Sequence, residues 1–226
     1  VAFEALARWN HARFGEVSPS VFIPIAESTG LIMDLGRHVL TTACQEAMNW
    51  PEHIGVSVNV SPLQFKNREM LFTDIWLALS ASGLAAKRLD LEVTESVLIE
   101  DAEGMLRLID ALRNMEISVS LDDFGTGYSS LAYVQNYRFD RIKLDRAFAR
   151  EIETDRTSRA TISALANIAA ATGSTLLLEG VESEPQARIA CAHGVTEMQG
   201  FLFSRPIPAS QIPGIIQSRF DEKRVA

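Results

Sequence analysis

The segment SVSLDDF, residues 118–124, ends in two adjacent carboxylates, Asp122 and Asp123. The small polar and apolar residues before them alternate, which is typical of a β-strand. Like charges side by side at the end of a buried strand repel each other, and both lose hydration when the site closes over them. A bound cation would neutralise the pair, and Gly125 and Gly127 would allow the following loop to bend sharply beside it. The segment therefore predicts a cation site.

Polar side chains of the same kind recur at the ends of other strand-like segments. They are Glu4, Asn59, Glu92, Asp122, Asp123, Lys143, Glu179 and Gln199. One aspartate at a strand end is commonly a helix N-cap, and one lysine there is commonly a surface residue. A glutamate inside an apolar strand is harder to explain in this way, because an unpaired buried charge is costly. The recurrence favours one shared site.

The chemistry of this set favours a hard divalent cation. Carboxylate and amide oxygens suit Mg²⁺ or Mn²⁺ better than zinc. Two such ions ~3.5–4 Å apart are the usual device for displacement at phosphorus. Lys143 adds a positive charge suited to orienting an attacking water or stabilising charge on a phosphate. Four histidines lack ligand-like spacing and are interpreted as structural or surface residues: His11, His38, His53 and His193.

Strand-like and helix-like segments alternate along the chain. The strand candidates are residues 1–6, 55–61, 89–95, 118–124, 141–145, 175–181 and 197–203. Apolar residues at three- and four-residue spacing predict helices over 31–50 and 155–173, the second closed by Gly173. This alternation predicts a parallel sheet flanked by helices in a single domain. A barrel of this class closes with eight strands, while an open doubly wound sheet usually carries a glycine-rich phosphate loop that is lacking after the first candidate.

Bulk composition is compatible with one core and argues against some classes of function. The chain has 226 residues, 47% of them hydrophobic, and a net charge of −8. An acidic balance argues against nucleic-acid or membrane-surface binding. Cys44 and Cys191 lack metal spacing, and we expect both to be reduced core residues of a cytoplasmic protein. The first residues already read as a strand, so we expect 1–226 to be an N-terminally truncated part of a longer protein.

Eight blocks in order give the sequence its resemblance to a known family. They are EALARW (4–9), FIPIAESTGLI (22–32), VNVSP (58–62), LEVTES (91–96), DDFGTGYSSL (122–131), IKLD (142–145), EGVE (179–182) and QGFLFSRP (199–206). Together they resemble the EAL domain, the bacterial cyclic di-GMP phosphodiesterase family, over essentially the whole chain. The departures, EALAR for the commoner EALLR and QGF for QGY, remove no ligand.

This resemblance implies roles for individual residues. The first metal would be held by Glu4, Asn59, Glu92 and Asp122, and the second by Asp122, Asp123 and Glu179. Lys143 would contact the catalytic water, so that Lys143, Glu4, Asp122 and Glu179 form the catalytic set. Substrate would be bound by Leu6, Arg8, Gln199 and Asp145. Glu95 would anchor the 122–131 loop, and Glu182 would complete the site.

The resemblance also implies a fold, a reaction and partners. The fold would be a (β/α)8 TIM-like barrel whose first strand, antiparallel in the family, is absent from this chain. The reaction would be hydrolysis of cyclic di-GMP to linear pGpG, with Mg²⁺ or Mn²⁺ as cofactor. The domain would be located in the cytoplasm, either in a cytoplasmic protein or in the cytoplasmic part of a membrane-anchored one. We expect this domain to bind no DNA or RNA polymer and to make no contact with a membrane. Family members commonly follow a diguanylate-cyclase-like or sensory domain and form homodimers through the 122–131 loop and the helix after it.

Three alternatives are weighed against hydrolysis. A non-catalytic cyclic di-GMP receptor typically loses metal ligands, and none is missing here. A barrel lyase would use Lys143 as a Schiff base, but a lysine among so many carboxylates stays protonated. A purely structural domain does not explain the acids at the strand ends.

Overall fold

The structure, a computed structural model, describes residues 1–95, 102–125 and 137–222. Its main feature is a seven-stranded sheet in the order β1-β4-β5-β6-β7-β8-β9. These strands are β1 (Ala2–Ala5), β4 (Gly55–Asn59), β5 (Leu89–Thr94), β6 (Ser118–Phe124), β7 (Arg141–Leu144), β8 (Thr175–Leu178) and β9 (Glu197–Met198). Each neighbouring pair is parallel. The seven predicted strands and their parallel arrangement are confirmed, although β9 is much shorter than the predicted 197–203.

The sheet curls into an α/β TIM-like barrel, as predicted. β1 and β9 are its two edges among the described strands. They approach closely enough that Gln199, directly after β9, donates a hydrogen bond from Nε2 to Oε2 of Glu4 in β1, at 2.7 Å. The carboxyl ends of all seven strands therefore face one opening.

Helices follow the strands and cover the outside of the sheet. They are α1 (Pro19–Thr29), α2 (Ile32–Ala47), α3 (Pro62–Lys66), α4 (Arg68–Ser82), α5 (Ala102–Asn114), α6 (Arg146–Glu151), α7 (Arg156–Thr172), α8 (Glu184–Ala192) and α9 (Ile212–Glu222). Both predicted helices are confirmed as α2 and α7. Asp155 caps the start of α7, and Gly173, with φ of 76°, ends it in the left-handed conformation expected of a C-cap. None of the helices in the described ranges has the length and hydropathy of a transmembrane span.

A short hairpin was not predicted. β2 (Trp9–His11) pairs antiparallel with β3 (Gly15–Val17), just after the EAL motif. The Trp9 ring packs edge-on against Phe22 of α1 at a centroid distance of 5.9 Å, which ties the hairpin to that helix.

Side chains alternate between two environments along the strands. In β5, Leu89, Leu91 and Val93 are fully buried in the core that the helices share. The residues between them, Asp90 and Glu92, lie on the opposite face, inside the barrel. At β5 the barrel interior is therefore lined with polar side chains instead of the usual branched apolar layers.

The prediction for the cysteines is half wrong. Cys44 lies in α2 and is fully buried, as predicted for a core residue. Cys191 lies in α8 and is exposed, because it falls on the outer face of that helix. Both are free thiols.

Candidate active site

Asp122 and Asp123 occupy a β-bulge at the end of β6. The register between β6 and β7 shifts between Leu121 and Phe124, so both aspartates lie opposite Lys143 alone. Asp123 has φ of 54°, a left-handed conformation that aspartate tolerates better than most residues. Neighbours in a regular strand point to opposite faces. The bulge explains how two adjacent carboxylates reach the same site.

The Lys143 ammonium is the centre of the site. Its Nζ lies 2.8 Å from Glu92 Oε2, 2.8 Å from Glu179 Oε1, 3.0 Å from Asp122 Oδ1 and 3.9 Å from Glu4 Oε2. The lysine side chain is only 1% exposed. Four carboxylates from four strand ends thus surround one buried cation, as the sequence predicted for a shared site.

Two side-chain amides bind Glu4, one of the four carboxylates of this cluster. Asn59 donates from Nδ2 to Oε1 of Glu4 at 2.6 Å, and Gln199 donates from Nε2 to Oε2 of the same carboxylate at 2.7 Å. The Asn59 amide donates through its nitrogen, which leaves its oxygen as a ligand atom. Glu4 is therefore held by one amide from the neighbouring strand β4 and by a second amide that follows β9, the opposite edge of the sheet.

Burial and crowding shift the ionisation of the cluster. Burial, opposed by Lys143 and supported by the neighbouring carboxylates, raises the pKa of Glu92 to about 8. Burial likewise raises the pKa of Glu179 to about 7. Burial alone would lower the pKa of Lys143, but the carboxylates, Glu92 first, outweigh it and raise that pKa. The site therefore has more negative charge than one ammonium can balance.

The excess of oxygen donors fits a divalent cation. A carboxylate oxygen from each of Asp122, Asp123 and Glu179 lies within 4.8 Å of the others, and the family resemblance implies these three residues as the ligands of a second ion. Asp122 Oδ1 is buried and accepts no aligned hydrogen bond from the described residues, although Lys143 Nζ is near it. An unsatisfied buried carboxylate oxygen beside two more carboxylates is the environment that Mg²⁺ or Mn²⁺ stabilises. The residues present therefore fit a metal site.

Three further predicted residues lie outside the set of carboxylates that contacts Lys143. Glu95 is buried and comes directly after β5, so it is beyond the strand that carries Glu92. Asp145 caps α6 by accepting a hydrogen bond from the Ala147 amide. Burial raises the pKa of Asp123, and the charges of Asp122 and then Asp145 add to this effect. Glu182 is exposed on the loop after β8.

The predicted substrate contacts Leu6 and Arg8 lie after β1, at the carboxyl-end opening. Leu6 is 43% exposed, and Arg8 is exposed with Nη1 donating to the Ala7 carbonyl. Gly125 has φ of 100° and packs against Phe148, which confirms a sharp bend after Asp123. Gly127, the rest of the 122–131 loop and the predicted dimer surface lie outside the described residues.

Sequence reasoning missed a second polar layer one step deeper in the barrel. It consists of Asp90, Ser120, Arg141 and Glu197. Each lies on the interior face of its strand, so the period-two alternation could have revealed it.

The chain is similar to known proteins over most of its length. The sequence profile described as "EAL domain" matches residues 1–206. The chain is 38% identical to the "Bifunctional diguanylate cyclase/cyclic di-GMP phosphodiesterase MucR" of Pseudomonas aeruginosa, covering 94% of this chain and 31% of the relative. It is 36% identical to the "Cyclic di-GMP phosphodiesterase PdeR" of Escherichia coli, covering 92% of this chain and 32% of the relative. The chain thus spans about a third of the length of these relatives.

The fold of this chain is also similar to that of a solved structure. The structure described as "PaMucR Phosphodiesterase, c-di-GMP complex" superposes with a TM-score of 0.86 at 38% identity, covering 92% of this chain and 86% of that one. The profile match, the relatives and the shared fold together show that this chain belongs to the EAL domain family.

Proposed function

We propose that this domain hydrolyses one phosphodiester bond of cyclic di-GMP and releases linear pGpG, with Mg²⁺ or Mn²⁺ as cofactor. The observation that carries the proposal is the convergence of Glu4, Glu92, Asp122 and Glu179 on Lys143. The names of MucR and PdeR support cyclic di-GMP as the substrate.

The proposed metal ligands form two sets that share Asp122. Glu4, Asn59, Glu92 and Asp122 would hold one ion, and Asp122, Asp123 and Glu179 the other. When bound, the ions would lower the pKa of a water molecule and neutralise charge on the phosphate. The bulge at the end of β6 supports this sharing, because it directs two adjacent carboxylates to one place.

Lys143 would place positive charge beside the attacking water and the phosphate. Its ion pairs with Glu92 and Glu179 fix the ammonium from two sides, so little reorganisation is needed during the reaction. The water oxygen forms a bond to phosphorus, the bond from phosphorus to the 3′ oxygen breaks, and that oxygen takes up a proton. The raised pKa of Lys143 keeps it charged, which argues against a Schiff-base lyase.

The substrate would be held around the opening at the carboxyl ends. Arg8 is exposed there, and its guanidinium suits a phosphate. Leu6, Gln199 and Asp145 would complete the substrate contacts, with Glu95 and Glu182 supporting the site from outside the metal cluster.

We further propose that this domain acts in the cytoplasm as one unit of a longer signalling protein. The relatives it matches are about three times longer, and one is named a bifunctional diguanylate cyclase/phosphodiesterase. An upstream diguanylate-cyclase-like or sensory domain and a homodimer through the 122–131 loop are the corresponding expectations.

Incubation of the protein with cyclic di-GMP and Mg²⁺ or Mn²⁺, followed by chromatography, tests the proposal. We expect pGpG to accumulate with either ion and to stop accumulating when a chelator is added. Tight binding of intact cyclic di-GMP without turnover would instead identify a receptor.

A further inference from the structure

A layer of charged side chains lies beneath the catalytic residues inside the barrel. Arg141 donates from Nη1 to Asp90 and from Nε to Glu197 Oε2, the latter at 2.6 Å. Ser120 donates from Oγ to Asp90 at 2.7 Å and 2.8 Å. Asp90 and Ser120 are almost completely buried. One guanidinium therefore connects side chains on three different strands.

Every member of this lower layer stands two residues before a member of the proposed site. The pairs are Asp90 and Glu92, Ser120 and Asp122, Arg141 and Lys143, and Glu197 and Gln199. Residues two apart in a strand share a face, so the members of the first three pairs point into the barrel together, and Gln199, directly after β9, contacts Glu4 there. A shift of any of these strands in the lower layer would displace the residue above it.

Arg141 is placed to fix the relative positions of the strands across most of the sheet. From β7 it reaches β5, two strands away on one side, and β9, two strands away on the other. A planar guanidinium binds two acceptors in fixed directions, whereas a lysine ammonium is a single flexible point charge. The fork therefore fixes spacing as well as charge.

The layer also separates the catalytic residues from the amino-terminal opening of the barrel. A cavity of about 360 Å³ lies at that opening and is lined by Asp90, Ser118 and Arg141 together with Gly55 and Lys87. The Arg141 side chain is 20% exposed there, whereas Lys143 above it is 1% exposed. Water therefore reaches Arg141 in the lower layer but not Lys143 above it.

We propose that Arg141 is a positioning residue for the phosphodiesterase site, holding β5, β7 and β9 at the spacing that the metal ligands and Lys143 require. The inference builds on the proposed function, but it concerns how the ligands are held. Asp90 and Glu197 are its partners, and all three lie one layer below the residues proposed to hold the metals and the substrate.

The test is Arg141→Lys, which keeps the charge and removes the fork. Mn²⁺ binding by electron paramagnetic resonance, kcat and KM for cyclic di-GMP, and the melting temperature are measured for each variant. We expect Arg141→Lys to weaken Mn²⁺ binding by about tenfold or more and to lower kcat more than it changes KM. Glu197→Gln, which weakens only the contact to β9, should give a smaller loss in the same direction.

Arg37→Lys is the matched control. Arg37 donates from Nε to the buried Asp74 at 2.7 Å, an equivalent arginine–aspartate pair between α2 and α4, outside the barrel. It should lower the melting temperature without changing Mn²⁺ binding. Wild-type Mn²⁺ binding in both Arg141→Lys and Glu197→Gln, or an equal loss in Arg37→Lys, would overturn the inference. Because Mn²⁺ binding is measured without substrate, lack of turnover by the wild-type protein would count against the proposed function alone.

Discussion

Lys143 Nζ and Glu92 Oε2 lie 2.8 Å apart, and both side chains are at most 2% exposed. Such a pair is expensive to break, because the remaining charge stays buried without its partner. Here Glu92 is one of four carboxylates around a single ammonium, so Lys143 offsets only part of the negative charge of the site.

Replacing Lys143 with methionine should therefore destabilise the metal-free protein. We expect Lys143→Met to cost about 3 kcal/mol, the low end for a broken buried ion pair, since the neighbouring carboxylates can take up protons. Turnover should be lost. Urea unfolding with and without Mg²⁺ measures the effect, and Mg²⁺ should restore part of the stability. A loss below about 1 kcal/mol would put the pair in the range of surface ion pairs and contradict this account.

The raised carboxyl pKa values predict how stability depends on pH. The pKa of Glu92 is about 8 and that of Glu179 about 7, against an ordinary value of 4.5. Between pH 4.5 and about pH 8 the folded protein binds more protons than the unfolded chain does. These two groups therefore stabilise the fold most below pH 4.5, and their contribution falls as the pH rises. Burial raises the pKa of Asp90 and Asp123 in the same sense.

In chelator, we expect the melting temperature to fall by about 5 °C or more between about pH 5 and pH 8. Added Mn²⁺ should reverse most of this fall at the upper end, because the metal replaces the lost protons. Thermal unfolding monitored by circular dichroism measures both effects. A melting temperature that rises over the same window would contradict the assigned ionisation.

Asp122→Asn tests the ligand shared by the two proposed metal sets. The amide keeps the shape of the side chain but removes its charge at the bulge, so turnover should fall by more than about a hundredfold. Asp155→Asn is a control, because Asp155 only caps α7 and asparagine is an equally good cap. Activity of Asp122→Asn near that of the control would remove Asp122 from the site.

Glu92 and Glu95 are predicted to have different roles although they are three residues apart. Glu92 lies within β5 and contacts Lys143, whereas Glu95 lies beyond the end of the strand. Glu92→Gln should weaken Mn²⁺ affinity, measured by calorimetry, by more than about tenfold. Glu95→Gln should keep wild-type affinity. Equal losses in the two variants would make Glu95 a ligand and not an anchor.

Much of this arrangement is predictable from sequence because parallel strands have a strong pattern. Apolar runs ending in an acid or amide identify the seven strands, and strand ends in such a sheet converge on one side. The sequence pattern alone therefore groups Glu4, Glu92, Asp122, Lys143 and Glu179.

Other features depend on more than the residue types at the strand ends. The Arg141 layer joins strands far apart in sequence, and its members precede the strand ends on which the sequence argument relied. The hairpin of β2 and β3 has strands of only three residues, too short for a clear alternation. Cys191 has apolar neighbours in the sequence, which favour a core position, but the residue lies on the exposed face of α8.

Hydrolysis of cyclic di-GMP in water labelled with heavy oxygen tests the central claim most directly. The reaction is run with Mn²⁺, and the product is identified by chromatography and mass spectrometry. We predict pGpG carrying one heavy oxygen atom on its 5′-phosphate, since water attacks phosphorus and the 3′ oxygen departs. Unlabelled product, or cyclic di-GMP recovered intact at full Mn²⁺ occupancy, would contradict a metal-dependent hydrolase.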